Sequence, residues 1–158
     1  MPIKKILVIQ TSFIGDVIMS TPLLRALRQL FPEAELDVLI IPANIPLLEG
    51  NPNVDHILTF PKQNKFSKFY YFLCLLAQIS RKRYDLAFSL TISFTSSMLM
   101  LLAGIPLRAG YARQKLLTHA IRVKKGLPVR LRHLQLLSSF TDQQFDGKTE
   151  IFWDNSHN

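Results

Sequence analysis

Ile6-Leu7-Val8-Ile9-Gln10-Thr11-Ser12-Phe13-Ile14-Gly15-Asp16, followed shortly by Thr21-Pro22-Leu23-Leu24, is the stretch that decides the fold. Four consecutive apolar residues that stop at a hydroxyl-bearing loop fit a strand buried on both faces. Beyond the loop, Leu23, Leu24, Leu27, Leu30 and Phe31 recur at three-to-four spacing, the period of a helix with one apolar face. Thr21 suits an N-cap, Pro22 the first helical position, and Pro32 the stop. The reading is strand, loop, helix.

The same alternation continues outward. Leu36–Ile41 reads as a second strand, Pro42–Glu49 as a short helix, Gly50-Asn51-Pro52-Asn53 as a turn and Val54–Phe60 as a third strand. A basic loop, Lys62–Lys68, leads into an apolar helix, Phe69–Ile79, closed by Arg81-Lys82-Arg83, whose charges suit a helix C-terminus. Tyr84–Leu90 is expected as a fourth strand, Ser96–Ala103 as a helix, Pro106–Tyr111 and Ala120–Val123 as further strands, and His133–Phe145 as a last helix. Strands alternating with helices at this spacing predict an α/β fold: a Rossmann-like parallel sheet with helices on both faces. The 158 residues allow one such domain, placed at 1–147, with 148–158 as an irregular tail.

A single cysteine, Cys74, offers no intramolecular disulfide and no thiolate cluster, which fits a reducing compartment such as the cytoplasm. The apolar run after Lys4-Lys5 is too short for a secretory signal and reads as a strand. Residues 86–107 carry no charge, yet Ser89, Thr91, Ser93, Thr95, Ser96 and Ser97 within them suit a strand, a turn and a short helix better than a lipid span. The four histidines, His56, His119, His133 and His157, are far apart in sequence and near no cysteine or paired carboxylate, so no metal site is expected.

Charge is unevenly placed. Residues 61–133 hold fourteen Lys and Arg against one acid, a local excess of +13 in a chain whose net charge is +8. Such a segment attracts phosphates on lipid, sugar or nucleic acid, although any one of these side chains can equally be a solvated helix end or loop. No aromatic RNA-binding motif or recognition-helix pattern accompanies it, and no nucleic-acid partner is expected.

In a parallel sheet the ligand sits beyond the carboxyl ends of the strands, which directs attention to Thr11–Asp16. This loop is neither a dinucleotide fingerprint, since Gly15 is its one glycine, nor a P-loop, since no Gly-Lys-Ser/Thr follows. It offers two hydroxyls, a glycine where the backbone can be approached closely, and one carboxylate at the mouth of a helix.

From Ile9 to Leu27 the chain resembles the opening of the ADP-heptose:lipopolysaccharide heptosyltransferases, inverting glycosyltransferases of family 9 with the two-domain GT-B fold. There a strand runs into a serine-rich loop, then Gly-Asp-Val and a Thr-Pro-led helix. Phe31–Leu39, Asn51–Asp55, Tyr84–Ala87 and Ala103–Tyr111 carry the resemblance to about residue 145. The resemblance implies the N-terminal, acceptor-side half of such an enzyme, with the C-terminal domain that binds the sugar nucleotide absent. Two further departures stand out: Gln10 occupies a position usually basic, and Thr149–Asn158 resembles no family linker.

By this resemblance Asp16 is the general base that takes the proton of the acceptor hydroxyl; by its position alone it is equally a carboxylate of a first helical turn. Thr11, Ser12 and Gly15 are implied as acceptor contacts, or as residues that shape only their own loop. Lys62 and Lys65, with Lys68, match a basic loop that faces lipid A phosphates, Arg108 and Arg113 flank Gly110-Tyr111 near a strand end, and His133 matches a histidine at the head of the last helix, where a plain helix-start histidine is the alternative. The implied function is transfer of heptose from ADP-heptose to Kdo or heptose on lipid A, at the cytoplasmic face of the inner membrane and with peripheral contact to it. No cofactor is implied. The implied partners are the inner-core glycolipid acceptor, the nucleotide-sugar donor, the membrane surface and a complementary C-terminal half, and the 158 residues alone are expected to give no transfer. The competing reading is a non-catalytic half-domain that binds an anionic glycolipid or a partner chain.

Overall fold

The structure, a computed structural model, describes residues 2–59 and 65–151 and, of residues 65–67, the backbone alone. Its elements are β1 (Lys5–Ile9), α1 (Ile14–Met19), α2 (Thr21–Leu30), β2 (Glu35–Ile40), a 3-10 turn at Pro42–Asn44, α3 (Ile45–Leu48), β3 (His56–Thr59), α4 (Lys65–Lys82), β4 (Leu86–Ser89), α5 (Phe94–Leu102), β5 (Leu107–Tyr111), β6 (His119–Ile121), α6 (Val129–Gln135) and a 3-10 turn at Leu136–Ser139. The strands form one sheet in the order β3-β2-β1-β4-β5-β6. Every pairing is parallel.

Central β1 is apolar without interruption because both of its faces are covered. Ile6 and Val8 pack with Val17 of α1, Leu23, Leu24 and Leu27 of α2, and Leu136 and Leu137 after α6. Leu7 and Ile9 face the other way, into Leu75 and Ile79 of α4 and Leu99 and Met100 of α5. The expected Rossmann-like parallel sheet with helices on both faces is the fold. The order of strands reverses at β1, which β2 flanks on one side and β4 on the other, and that reversal opens a crevice at their carboxyl ends.

Four boundaries differ from the sequence reading. The loop after β1 turns helical at Ile14, so Asp16 lies in the first turn of α1 rather than in an open loop. The basic loop is shorter than expected, because α4 begins at Lys65. Thr21 is the first residue of α2, not its cap; its hydroxyl donates to the Ile18 carbonyl (2.8 Å) and accepts from the Glu150 amide (2.9 Å). The last helix runs from Val129 to Gln135 instead of His133 to Phe145, which moves His133 from a helix head to a helix end. The uncharged stretch 86–107 divides into β4, α5 and the start of β5, and no helix among the described residues is long and apolar enough to cross a membrane.

Residues 146–150, irregular and largely exposed, are tied to α2 by polar contacts. Arg25 of α2 pairs with Glu150 and donates to the carbonyls of Asp146 (2.8 Å) and Lys148 (3.0 Å).

At the amino ends of the strands, charges are paired. Asp37 is fully buried, and its carboxylate takes hydrogen bonds from Lys82 Nζ (2.7 Å) and the Tyr84 hydroxyl (2.5 Å) and contacts His56 Nδ1 (2.9 Å). Burial works against charge on Lys82, but Asp37 and Glu35 outweigh it and hold the ammonium pKa above its ordinary value. Asp37→Ala strands the buried Tyr84 hydroxyl and removes the nearer partner of Lys82. We expect a loss of about 2–3 kcal/mol in urea unfolding, less than for a fully enclosed pair because Lys82 can turn to Glu35 and water.

Candidate active site

The carboxyl ends of β1, β4, β5 and β6, together with α6, enclose a cleft of about 1010 Å3. Gln10, Ser12 and Asp16 form one wall, Leu90, Thr91 and Ile92 the floor after β4, and Tyr111, Ala112 and Arg113 the end of β5. The segment from Ile121 to Leu127, with Val129, Arg132 and His133, closes the other side.

Hydrogen bonds stitch the first wall to the floor across the strand-order reversal. The buried Gln10 accepts through Oε1 from the Thr91 hydroxyl (3.0 Å). With that proton used, the Ser12 hydroxyl is the donor in its contact with Thr91 Oγ1 (3.2 Å). Gln10 Nε2 reaches back to the Asp16 carbonyl (3.4 Å), and Asn44 Nδ2 donates to the Ser12 carbonyl (3.1 Å). Ser89 Oγ donates to the Thr91 carbonyl (2.8 Å) and accepts from Gln114 Nε2 (2.9 Å). Gly110 matters here, since a Cβ on it would stand 2.9 Å from Gln114 Oε1.

Asp16 is half-buried at the third position of α1. The N-cap is Phe13, which makes no side-chain cap bond, so Asp16 does not cap the helix. Its carboxylate takes no hydrogen bond and no ion pair among the described residues, and is left to face the cleft's contents. Gly15 has an ordinary helical backbone, and open space surrounds the place of its missing Cβ. The glycine is therefore not required for conformation, and, unlike Asp16, it does not line the cleft. Thr11 is half-buried beside the cleft and does not line it.

Opposite stand Tyr111 and His133. His133 is 2% exposed, and its Nδ1 is hydrogen-bonded to the Tyr111 hydroxyl. Burial first, and the adjacent Arg132 second, push its pKa down to about 4, so the ring is neutral at physiological pH. Burial also raises the Tyr111 pKa; Arg132 works against that rise and the Asp16 carboxylate adds to it, so the four groups share one field. Among the described residues His133 Nε2 and Arg132 Nε, like Arg130 Nε on the same helix, have no hydrogen-bond partner.

Five cations line the cleft: Arg113, Arg122, Lys124, Lys125 and Arg132. None takes part in a salt bridge among the described residues, whereas at the opposite end of the sheet Lys5 pairs with Glu35 (3.9 Å), Arg28 with Asp55 (2.7 Å) and Lys82 with Asp37 (2.7 Å). The fold thus divides the basic segment: Lys82 is neutralised, and the residues after β5 and β6 are not. Asp16 is the one acid in the lining.

Of the residues singled out from sequence, the cleft gathers Ser12, Asp16, Arg113 and His133. Arg108 does not line it; Nε donates to the Leu116 carbonyl (3.0 Å) and Nη1 to the Ile105 carbonyl (2.8 Å), which fastens the β5–β6 loop. Lys62 lies outside the described residues, and so does the side chain of Lys65, whose backbone opens α4. Gln10, Tyr111, Arg122, Lys124, Lys125 and Arg132 were not foreseen as cleft residues. Their signal was position, within the +13 segment or directly after an expected strand.

One group of potential ligand side chains is assembled only by the fold. Folding brings His56 beside Glu35 and Asp37, with ligand atoms within 4.8 Å of one another, although the sequence separates them. Lys82 Nζ already lies 2.7 Å from Asp37 and 3.4 Å from Glu35, so a cation is built into this cluster.

No family model matches the chain. It is 36% identical over 107 residues to lipopolysaccharide heptosyltransferase 2 of Escherichia coli K12, an alignment that covers 68% of this chain and 31% of that protein. With lipooligosaccharide heptosyltransferase 2 of Haemophilus ducreyi it shares 33% over 110 residues, covering 68% and 30%. The solved structure of the Escherichia coli ADP-heptose lipopolysaccharide heptosyltransferase II superimposes with a TM-score of 0.71 at 33% identity, over 84% of this chain and 40% of that one. A glycosyl transferase family 9 structure from Veillonella parvula shares the fold, with a TM-score of 0.81 at 22% identity over 94% and 45%. The chain spans about a third of the length of the curated relatives it matches.

Proposed function

We infer that this chain, which belongs to the heptosyltransferase family of glycosyltransferases by sequence and by fold, forms the acceptor side of an inverting heptosyl transfer. The observation that carries this reading is the cleft itself: one carboxylate, Asp16, and five cations in its lining, none of them in a salt bridge among the described residues. That combination suits a nucleophilic hydroxyl on a molecule rich in negative charge. The acceptor is a sugar of the lipid A inner core, Kdo or heptose, and the donor is ADP-heptose.

In this reading the cations hold the phosphates and carboxylates of the acceptor and direct one hydroxyl at Asp16. Asp16 takes the hydroxyl proton as that oxygen attacks the anomeric carbon, and the bond to the diphosphate breaks on the opposite face. Developing positive charge at the anomeric centre is favoured by the nearby carboxylate, and the cleft walls hold the reactants in line. Gln10 and Thr91 are positioning residues, since they tie the first turn of α1 to the sheet. The donor diphosphate is bound by a domain outside these residues, which pairs with this one across the cleft mouth.

The acceptor is lipid-anchored, so the same reading places the protein at the cytoplasmic face of the inner membrane in peripheral contact. Exposed Ile92 in the cleft lining, with exposed Phe13 next in sequence to Ser12 and Phe94 two residues beyond Ile92, supports such contact.

The test is a comparison of vesicles that carry lipid A core glycolipid with vesicles of phosphatidylglycerol at matched charge. Tighter binding to the glycolipid is expected, weakened by Ser12→Ala and by Arg132→Gln. Binding to both should fall as salt rises, because the Debye length shrinks from about 10 Å at 0.1 M to about 3 Å at 1 M. Equal affinity for the two lipids, untouched by either substitution, would overturn the acceptor reading and leave a generic basic face.

A further inference from the structure

Helix α4 is longer than the sheet it covers. Its 18 residues span about 27 Å at 1.5 Å per residue, whereas β3 and β4, which it connects, are four residues each, about 13 Å. All strands run parallel, so α4 runs back from carboxyl ends to amino ends, and its first turns lie at the cleft end of the domain. Leu75 and Ile79 seat its second half against Leu7, Ile9 and Leu39, and Phe72 packs partly against the same layer. Lys68 and Phe69, four and three residues before Phe72, would face the sheet if it continued. Both are exposed, Phe69 at 69%, and no side chain from Lys68 to Cys74 is fully buried. The first half of α4 therefore projects past the strands.

Two properties of this projection specify what it meets. It is apolar, with Phe69, Tyr70 and Leu73 exposed. It is also basic: α4 carries no acid, and its first turn holds Lys65 and Lys68 where the helix dipole favours negative charge. An occupant that is negative at its surface and apolar beneath relieves both costs, and the headgroup and acyl boundary of an anionic bilayer has that layering. The rest of this end of the domain agrees. The six most exposed large apolar side chains among the described residues are Phe13 and Ile14 after β1, Phe69 and Tyr70 in α4, and Ile92 and Phe94 after β4. Each follows the carboxyl end of a strand.

We propose that the first half of α4, Lys65 to Cys74, is a membrane-inserting element: Phe69, Tyr70 and Leu73 enter the acyl boundary of an anionic phospholipid bilayer while Lys68 stays among the headgroups. This rests on the membrane placement above and not on what the cleft binds. The cleft cations attract the protein from a distance, and α4 holds it by burying apolar surface.

The experiment places a tryptophan at position 69 by Phe69→Trp, in a chain whose one native tryptophan is removed by Trp153→Phe. The probe is a vesicle of phosphatidylglycerol with no glycolipid. Fluorescence should shift to the blue and be quenched by lipids brominated high on the acyl chain. Binding weakens as salt rises, but the fraction still bound at about 1 M, where long-range attraction is screened, should stay quenched. Leu102→Trp, at the opposite end of the sheet because α5 also runs back toward the amino ends, should not be quenched. Phe69→Ser with Tyr70→Ser should keep the circular dichroism of the parent and bind these vesicles at least about tenfold more weakly. Leu101→Ser with Leu102→Ser should bind as the parent does. An unquenched indole at position 69 would overturn the proposal. So would a blue shift that grows with protein concentration in the absence of vesicles, since a second copy then covers the stripe. Loss of quenching in a chain that also carries the donor-binding side would overturn it too, since that domain is then the occupant. Failure here with a retained preference for core glycolipid removes the anchor and keeps the acceptor reading; quenching without that preference does the reverse.

Discussion

Asp16→Asn, placed in a chain that also carries the donor-binding side, is expected to fold as the parent does and to lose about 10²- to 10⁴-fold in kcat, the usual worth of a positioned general base. The amide has the shape of the carboxylate but cannot take the hydroxyl proton. Asp16 makes no cap bond and no ion pair among the described residues, so the substitution removes little that holds the fold. Because proton transfer belongs to the transition state, kcat and kcat/KM should fall by the same factor while acceptor binding persists. Initial rates of ADP release against acceptor concentration measure both. A variant within about twofold of the parent would return Asp16 to the role of an acid in a first helical turn, where its worth is the few tenths of a kcal/mol typical of such positions.

Acid should destabilise the domain through His133. Its folded pKa of about 4 lies below the value near 6.5 of an unfolded histidine. A group with a depressed folded pKa is protonated first in the unfolded chain, so its contribution is intact above pH 6.5, declines as pH falls and is lost near pH 4. The gap of about 2.5 units corresponds to roughly 3 kcal/mol across that window. Urea titrations at intervals from pH 7 to pH 4 should show the loss, and His133→Gln should flatten the curve over this range. Asp55 acts in a different window. Burial raises its pKa, but the Leu36 amide and Arg28 outweigh that and leave it below 3.8, so its share is lost only below about pH 4. An unchanged slope in His133→Gln would mean that the imidazole is hydrated in the folded chain.

The part of the fold that reads directly from sequence is the part where pattern and burial coincide. Ile6–Ile9 has no polar residue because β1 is covered on both faces, and Leu23, Leu24 and Leu27 mark the face of α2 that covers it. Helix α1 was hidden: it is six residues long, starts after a phenylalanine with no capping side chain, and carries a glycine and an aspartate that also suit a loop. The start of α6 was hidden too, since Val129-Arg130-Leu131-Arg132 alternates like a strand before it settles into a helix.

Site residues divide the same way. Asp16 and Ser12 lie in one local motif, and the motif brought them out. Arg122, Lys124 and Lys125 look like solvated lysines and arginines until β6 carries them to the cleft beside Arg113. Tyr111 looks like an ordinary strand residue until α6 returns His133 to its hydroxyl. The Glu35, Asp37, His56 and Lys82 cluster joins three elements with partners up to 47 residues apart, a distance over which spacing says nothing.

Charges paired at one end of the sheet and unpaired at the other make the domain an electric dipole along its strands. Near a negatively charged bilayer such a dipole feels a torque before it feels a contact, and the torque turns the cleft toward the surface. The effect is confined to about 8 Å at physiological ionic strength. Within that last layer of water it changes which encounters count: a protein that arrives in any orientation is rotated with its cleft leading, so a larger share of collisions presents Asp16 to what the surface carries. Orientation gained this way raises the rate of arrival with the cleft leading without deepening the final well, so fast encounter need not mean slow release.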